Sequence, residues 1–309
     1  MKAIVCTKYG PPEVFQLKEV EKPKPGNNEV QIKIYAVPIT APDRRVRGLD
    51  VPFWLARIPM RLMFGLFKPR NPILGLYLAG EIVATGKDVT KYQAGDEVFA
   101  RAGMGMGAYA EYICLPEESV MVLKPSNVTY EEAAAIPYGG ACALYFLRKG
   151  EIHSGQKVLI YGASGAIGSY AVQLAKHFGA EVTGVCSTTN VELVNSLGAD
   201  RVIDYTKEDF TKSSEQFDMI FDAVGKISST STAKILKPNG KYVSVFSSGR
   251  AQVNIEGLAL LKELVETGKV KPAIDRSYPL EQMIEAHRYA DQGHAKGSVV
   301  ITVAHKVKS

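Results

Sequence analysis

The sequence predicts an α/β protein in two parts, a β-rich first part followed by a doubly wound parallel sheet. Three observations carry that class. The first third is rich in short strands and turns, and from about Asn127 the texture changes to alternating helix and strand. Residues 157–190 then spell out a strand, a glycine turn, a helix and a second strand. A chain of 309 residues is long enough for two domains. In order, Met1-Lys2-Ala3-Ile4-Val5-Cys6 reads as a strand. Val30-Gln31-Ile32-Lys33-Ile34-Tyr35 alternates with a period of two, as does part of the stretch from Ala79 to Ala84. Pro25-Gly26-Asn27-Asn28 and Gly86-Lys87-Asp88 punctuate them as turns. The second part offers strands at 157–161, 181–186, 201–204, 217–222 and 241–246, separated by helical patterns, which implies a parallel sheet. Val299-Val300-Ile301-Thr302-Val303 is again strand-like and is expected to return to the first part, making that part discontinuous.

One junction does not fit. Only Ser247-Ser248-Gly249-Arg250 separate the strand at 241–246 from the strand-like Ala251-Gln252-Val253-Asn254-Ile255. A parallel crossover needs a dozen or more residues. Three readings stay open: a trimmed segment, a stretch absent from this chain, or 251–255 not being a parallel strand.

The glycine turn has a chemical meaning. An apolar strand runs into Gly162, Gly165 and Gly168, and the residues after it place Ile167, Ala171, Leu174, Ala175 and Phe178 on one helical face. Gly179 supplies the left-handed stop before the second strand. Such a unit binds a dinucleotide pyrophosphate: glycines let the phosphates approach the backbone, and the helix start offers free N–H groups and positive dipole. A dinucleotide lacking a 2′-phosphate is usually gripped by an acid at the end of the second strand. Here that strand ends Cys186-Ser187-Thr188-Thr189-Asn190, with no acid before Glu192. Small hydroxyls in that position favour NADPH.

Composition excludes several classes. A net charge of +5 is mild and does not point to nucleic acid. The first residues lack the apolar core of a signal peptide, and no apolar run is long enough to cross a bilayer. Cys6, Cys114, Cys142 and Cys186 are far apart and form no Cys-x-x-Cys pair, which fits a reducing cytoplasm rather than a disulfide framework or a structural zinc site.

Further stretches extend over the whole chain: Ala79-Gly80-Glu81-Ile82-Val83, Gly95-Asp96-Glu97-Val98-Phe99, Gly107-Ala108-Tyr109-Ala110-Glu111-Tyr112 and Ala133-Ala134-Ala135-Ile136-Pro137. Leu197-Gly198-Ala199-Asp200, Val202-Ile203-Asp204-Tyr205, Phe221-Asp222-Ala223-Val224-Gly225 and Gly293-His294-Ala295-Lys296-Gly297 follow. With the turn Ala163-Ser164-Gly165-Ala166-Ile167-Gly168, these resemble the zinc-free quinone oxidoreductase-like branch of the medium-chain dehydrogenase/reductase superfamily. The resemblance implies a GroES-like β-rich catalytic domain at 1–125, completed by 273–309, and a Rossmann domain at 126–272. It assigns NADPH contacts to Ser164, Gly165, Ala166, Ile167, Ser187, Thr188 and Tyr205, and places Ala223, Val224, Phe246 and Ser247 at strand ends near the nicotinamide.

The positions that match the catalytic zinc ligands of alcohol dehydrogenases are Thr40, Leu76 and Tyr138, none a thiolate or imidazole, so no metal is expected. His153, His177, His287, His294 and His305 are scattered without ligand spacing. Without a metal, saturated alcohols are poor substrates, whereas quinones and α,β-unsaturated carbonyls spread the charge arriving with a hydride. Thr40, Asp43, Tyr77 and Tyr138 are the catalytic candidates, to orient a carbonyl or pass a proton. The plainer alternatives are Asp43 pairing with Arg44 or Arg47, and tyrosines that are merely packed. The branch often has Asn at Thr40, an acid at Tyr77, Thr at Cys142, Arg at Thr189 and Lys at Ser298. Two other functions stay open: NADPH binding without turnover, and an alcohol or aldehyde oxidoreductase. The implied partner is a small lipophilic carbonyl or quinone, with no nucleic acid and no membrane span, and a homodimer stays open.

Residues 53–70 mix Phe53, Trp54, Leu55, Ile58, Leu62, Met63, Phe64, Leu66 and Phe67 with Arg57, Arg61, Lys68 and Arg70. The resemblance makes this a helical insertion lining the substrate mouth. Subunit packing is the plain alternative, and contact with anionic lipid is disfavoured by the shortness of the segment.

Overall fold

The structure is a computed structural model that describes residues 1–49 and 57–305. Phe53, Trp54, Leu55 and the side chain of Arg57, part of the expected insertion, therefore lie outside the described residues. The chain divides into two compact units. One comprises Met1–Ala135, Ile274–His294 and Val299–Ser309, and the other Ile136–Ala273 and Ala295–Ser298.

The first unit begins with the strands β1 (Lys2–Cys6), β2 (Phe15–Glu19) and β3 (Glu29–Pro38), then the helices α1 (Ala41–Gly48) and α2 (Arg57–Phe64). Strands β4 (Tyr77–Thr85), β5 (Glu97–Arg101), β6 (Tyr112–Pro116) and β7 (Met121–Leu123) and helix α3 (Tyr130–Ala135) follow. Strand β3 pairs antiparallel with both β4 and β6, and β4 with β5, so the long alternating strand read at Val30–Tyr35 sits at the centre of the sheet. Its residues Ile32 and Ile34, like Leu78, Ile82 and Phe99 on the neighbouring strands, are closed to water, and Ile32 pairs across with Ile82.

The second unit opens with a π-helical turn, Ile136–Gly140, that runs into α4 (Ala141–Lys149). It continues as β8 (Lys157–Tyr161), α5 (Gly168–His177), β9 (Glu181–Cys186), α6 (Val191–Ser196), β10 (Arg201–Asp204), β11 (Phe217–Asp222), α7 (Ser229–Thr232), β12 (Leu236–Ser244) and α8 (Ile255–Glu266). Its sheet has the order β10-β9-β8-β11-β12, every pair parallel, which is the expected doubly wound class. Leu159, Val185, Ile203, Phe217 and Ile220 form its hydrophobic core. The chain then returns as β13 (Ile274–Pro279), α9 (Met283–Asp291) and β14 (Ser298–Thr302), and β14 pairs antiparallel with β3.

Two expectations need correction. The strand read at 241–246 starts at Leu236 and ends at Ser244, with Val245, Phe246 and Ser247 in a turn. The strand-like run 251–255 is no strand: Asn254 accepts a hydrogen bond from the Gly257 amide at 2.9 Å and caps α8, which begins at Ile255. That selects the third of the open readings and leaves five parallel strands among the described residues. Helix α5 also departs from a one-sided pattern, since Gly168 through Ala175 are all buried. Its polar Ser169 and Gln173 are interior; the Gln173 amide donates to Ser169 O and to Lys271 O and accepts from Lys271 N.

Candidate active site

The three glycines of the turn do three different jobs. Gly162 has φ +77, and a Cβ there would stand 2.2 Å from Val224 Cγ2. At Gly168 a Cβ would stand 2.0 Å from the Gly162 carbonyl, so helix and turn touch only because it is missing. Gly165 is unlike both: a Cβ would meet nothing nearer than the Gly162 carbonyl at 3.5 Å. The fold itself makes no demand for glycine at 165, so the open space there suits a ligand. Helix α5 starts without a side-chain cap, and no described protein atom accepts from the Ile167 N–H group, while the Ala166 N–H faces the Gly297 carbonyl across the bridge between Gly165 and Gly297. An uncapped helix start with an unspent donor and open space beside it fits a pyrophosphate. Ser164, nearly buried, is fixed by Asn190 Nδ2 donating to its Oγ at 3.0 Å and by Gly297 N donating to its carbonyl at 2.8 Å.

The far side of the turn is organised by Asp222, the last residue of β11. Fully buried, its Oδ1 accepts from the Val224 and Gly225 amides at 3.0 and 2.7 Å, and its Oδ2 from the Ile227 amide at 3.0 Å. This holds Ala223 and Val224 in one shape and brings Val224 against Gly162. Gly225, at φ +80, lets the Phe246 side chain come close, its Cβ 2.8 Å from where a glycine Cβ would be. Gly162, Val224, Gly225 and Phe246 are thus brought together, whereas Ser247 is exposed in the turn beyond. The π-helical turn joins this group: a Cβ at Gly139 would stand 2.3 Å from the Ala166 carbonyl, so half-buried Tyr138 directly precedes a backbone packed against the glycine turn.

At the end of β9, Ser187 takes a hydrogen bond from Asn190 Nδ2 at 3.2 Å and keeps its own hydroxyl hydrogen uncommitted. Thr188 is differently engaged. Its hydroxyl donates to Asp204 Oδ2, which with Thr206 holds that carboxyl down at about 2. Half-exposed Tyr205 follows, its amide donating to the Cys186 carbonyl at 3.0 Å. Sequence reasoning missed one group here. Lys296 Nζ donates to the Thr189 carbonyl at 3.0 Å, placing a cation beside a run that contains none. No sequence signal could have placed it, because 107 residues separate the two.

In the first unit, Thr40 and Asp43 are both buried, and they start α1 as a reciprocal capping box. The Thr40 amide and hydroxyl both donate to Asp43 Oδ2. Asp43 Oδ1 makes no hydrogen bond of normal geometry, although the Gly75 amide and Tyr109 hydroxyl lie close enough to favour its charge. Burial outweighs these partners and pushes the carboxyl up to about 6. The expected pairing of Asp43 with Arg44 or Arg47 is not found: Arg47 donates to Asp291 at 2.7 Å and lies 2.9 Å from His287 Nδ1, and Arg44 donates to the Ala290 carbonyl. His287 Nε2 lies 3.2 Å from the Tyr109 hydroxyl, and burial lowers the His287 pKa well below the ordinary imidazole value. Tyr77 and Leu76 are buried at the start of β4. Among the described residues no group of three or more His, Cys, Asp or Glu is placed to hold a metal ion.

A strand-rich unit and a five-stranded parallel sheet carrying this turn define a dinucleotide-binding protein. Residues 26–125 match the alcohol dehydrogenase GroES-like domain, and residues 197–301 match a family described as zinc-binding dehydrogenase. The latter match contains none of Thr40, Leu76 and Tyr138. The chain is 36% identical over 324 aligned residues to the 2-methylene-furan-3-one reductase of Solanum lycopersicum, covering 97% of this chain and 79% of that protein. It is 32% identical to the NADPH-dependent alkenal/one oxidoreductase of the Arabidopsis thaliana chloroplast, with the same coverage. The solved quinone oxidoreductase of Coxiella burnetii superposes with a TM-score of 0.87 at 29% identity, covering 98% of this chain and 99% of that one. The chain belongs to the medium-chain dehydrogenase/reductase superfamily, in its quinone oxidoreductase-like branch.

Proposed function

We propose that this oxidoreductase takes NADPH and reduces quinones or α,β-unsaturated carbonyls without a metal. The observation that carries the reading is the glycine turn: open space at Gly165 lies at an uncapped helix start where the Ile167 N–H is unspent. NADPH, when bound, supplies the hydride. The Ile167 amide at the uncapped helix start answers pyrophosphate charge, while Ser187 and Lys296 answer a 2′-phosphate. The loop pinned by Asp222 holds Val224 beside Gly162, and half-exposed Val224 and Phe246 offer apolar surface for the nicotinamide to cover. Thr40, Leu76 and Tyr138 supply no thiolate or imidazole, which supports metal independence. Hydride arrival on a conjugated acceptor leaves a delocalised anion that hydroxyl donors and water can stabilise and protonate. Tyr77 and Tyr138 are the donors we assign. Thr40 and Asp43 act within the catalytic domain by holding the start of α1, since the Thr40 hydroxyl is already given to Asp43.

Within this reading, residues 1–125 with 273–309 are the catalytic domain and 126–272 the cofactor domain. Cys6, Cys114, Cys142 and Cys186 form no disulfide, which suits a cytoplasmic setting, and no described helix is long and apolar enough to cross a membrane. A homodimer is compatible with the reading, and light scattering decides it. The test of function is NADPH oxidation by the purified protein with a panel of quinones and enals, with and without a chelator. Chelator-insensitive turnover is expected, with saturated alcohols inert. Stoichiometric zinc whose removal abolishes activity would overturn the metal-free reaction. NADPH binding without turnover across the panel would favour a binding-only relative.

A further inference from the structure

The heaviest apolar exposure in the described residues lies in one short stretch. Five of the twelve large exposed hydrophobic side chains fall between positions 58 and 67: Ile58, Leu62, Met63, Leu66 and Phe67, each more than half exposed and Phe67 87% so. They occupy α2 and the turn after it, and that turn is firmly built. The Arg70 amide donates to the Phe64 carbonyl at 2.6 Å, and the Tyr9 hydroxyl to the Gly65 carbonyl at 2.8 Å. Gly65 has φ +126, and a Cβ there would collide with the Lys68 carbonyl at 2.1 Å. Leu66 and Phe67 are therefore held outward by the backbone.

The charge around them has one sign. Arg61, Lys68 and Arg70 are exposed, and the sequence contains no Asp or Glu from 51 through 80.

We propose that this stretch docks the protein on a bilayer surface bearing anionic headgroups. The apolar side chains enter the headgroup–acyl boundary while the three cations meet lipid phosphates. Charge decides against a second copy as the occupant. A two-fold contact would set the patch against itself, cation facing cation, with no carboxylate in the stretch to answer them. The shortness that disfavours lipid contact in the sequence is outweighed by this cluster of exposed apolar side chains, and it sets the strength: so short a segment binds reversibly and with strong salt dependence.

The test is sedimentation of the NADPH-loaded protein with phosphatidylcholine vesicles, alone or mixed with phosphatidylglycerol. Capture is expected to rise about tenfold or more with the anionic lipid and to vanish at about 0.5 M salt. Leu66→Ser with Phe67→Ser should lower capture about tenfold, and Arg61→Gln with Lys68→Gln about 25-fold, at roughly fivefold per cation. Both variants alter exposed groups, so thermal midpoint and NADPH affinity should stay at wild-type values. Equal capture by neutral and anionic vesicles, or capture unchanged in both variants, would overturn the proposal. So would variants that change the oligomeric state in light scattering while vesicle capture persists, since the face would then be a contact between copies.

Discussion

Helices α1 and α5 begin in opposite ways. At α1, Thr40 and Asp43 answer each other's backbone donors inside the protein, closed to water. At α5 no side chain caps the helix, and Ile167 keeps its N–H group. Both ends carry the same backbone dipole. A cap becomes an anion site when the chain declines to answer its own donors and clears room in front of them, as Gly165 does. A closed cap has its own cost where it is buried, and Asp43 bears it.

The largest expected effect tests that cost. The folded-state pKa of Asp43, about 6, lies above the ordinary 3.8, so the native state holds the proton more tightly than the unfolded chain. That contribution is fully present below 3.8 and is lost as pH rises through about 6, a change of up to roughly 3 kcal/mol. Asp43→Asn should flatten the fall in unfolding free energy between those values, measured by urea titration. An unchanged slope would mean the carboxyl is better satisfied than its geometry suggests.

At the open end, Gly165→Val should weaken NADPH about 100-fold, near 2.7 kcal/mol, with little change in melting temperature. Fluorescence titration alongside thermal unfolding separates the two effects. A variant that binds normally, or one that fails to fold, would end the distinction drawn between Gly165 and Gly168. Lys296→Gln should cost about tenfold in NADPH affinity and leave NADH affinity alone; equal losses for both would remove Lys296 from the 2′-phosphate. The smallest effect belongs to Thr40→Ala, about 1 kcal/mol of stability through the lost cap, with NADPH affinity untouched. A loss in NADPH affinity there would erase the contrast between the two helix starts.

How far these features were legible depends on how locally they are encoded. The first four strands of the parallel sheet are short apolar runs bounded by turns, and their ends were readable to the residue. The fifth was read late, since Pro238, Asn239 and Gly240 look like a turn yet lie within β12. The run 251–255 misled because Val253 and Ile255 suggest a strand, when Asn254 between them is a helix cap. Thr40-Ala41-Pro42-Asp43 carries a cap signal of its own, a threonine followed three residues later by an acid, which site-based reasoning passed over. Lys296 and the His287–Tyr109 contact join residues more than a hundred positions apart, and such meetings are decided by topology rather than by local pattern.

The hydrogen bond from Gly297 to Ser164 sets an order in time. Gly297 also bridges Gly165 directly, and its left-handed φ of +96 fits it against the Ala273 carbonyl. During synthesis the five-stranded sheet is complete once β12 has emerged, but the phosphate turn still lacks the residues that steady Ser164 and bring in Lys296. Those arrive some fifty residues later, which at about 5–20 residues per second is several seconds of translation. A nascent chain can thus have its sheet assembled before its cofactor cradle is finished.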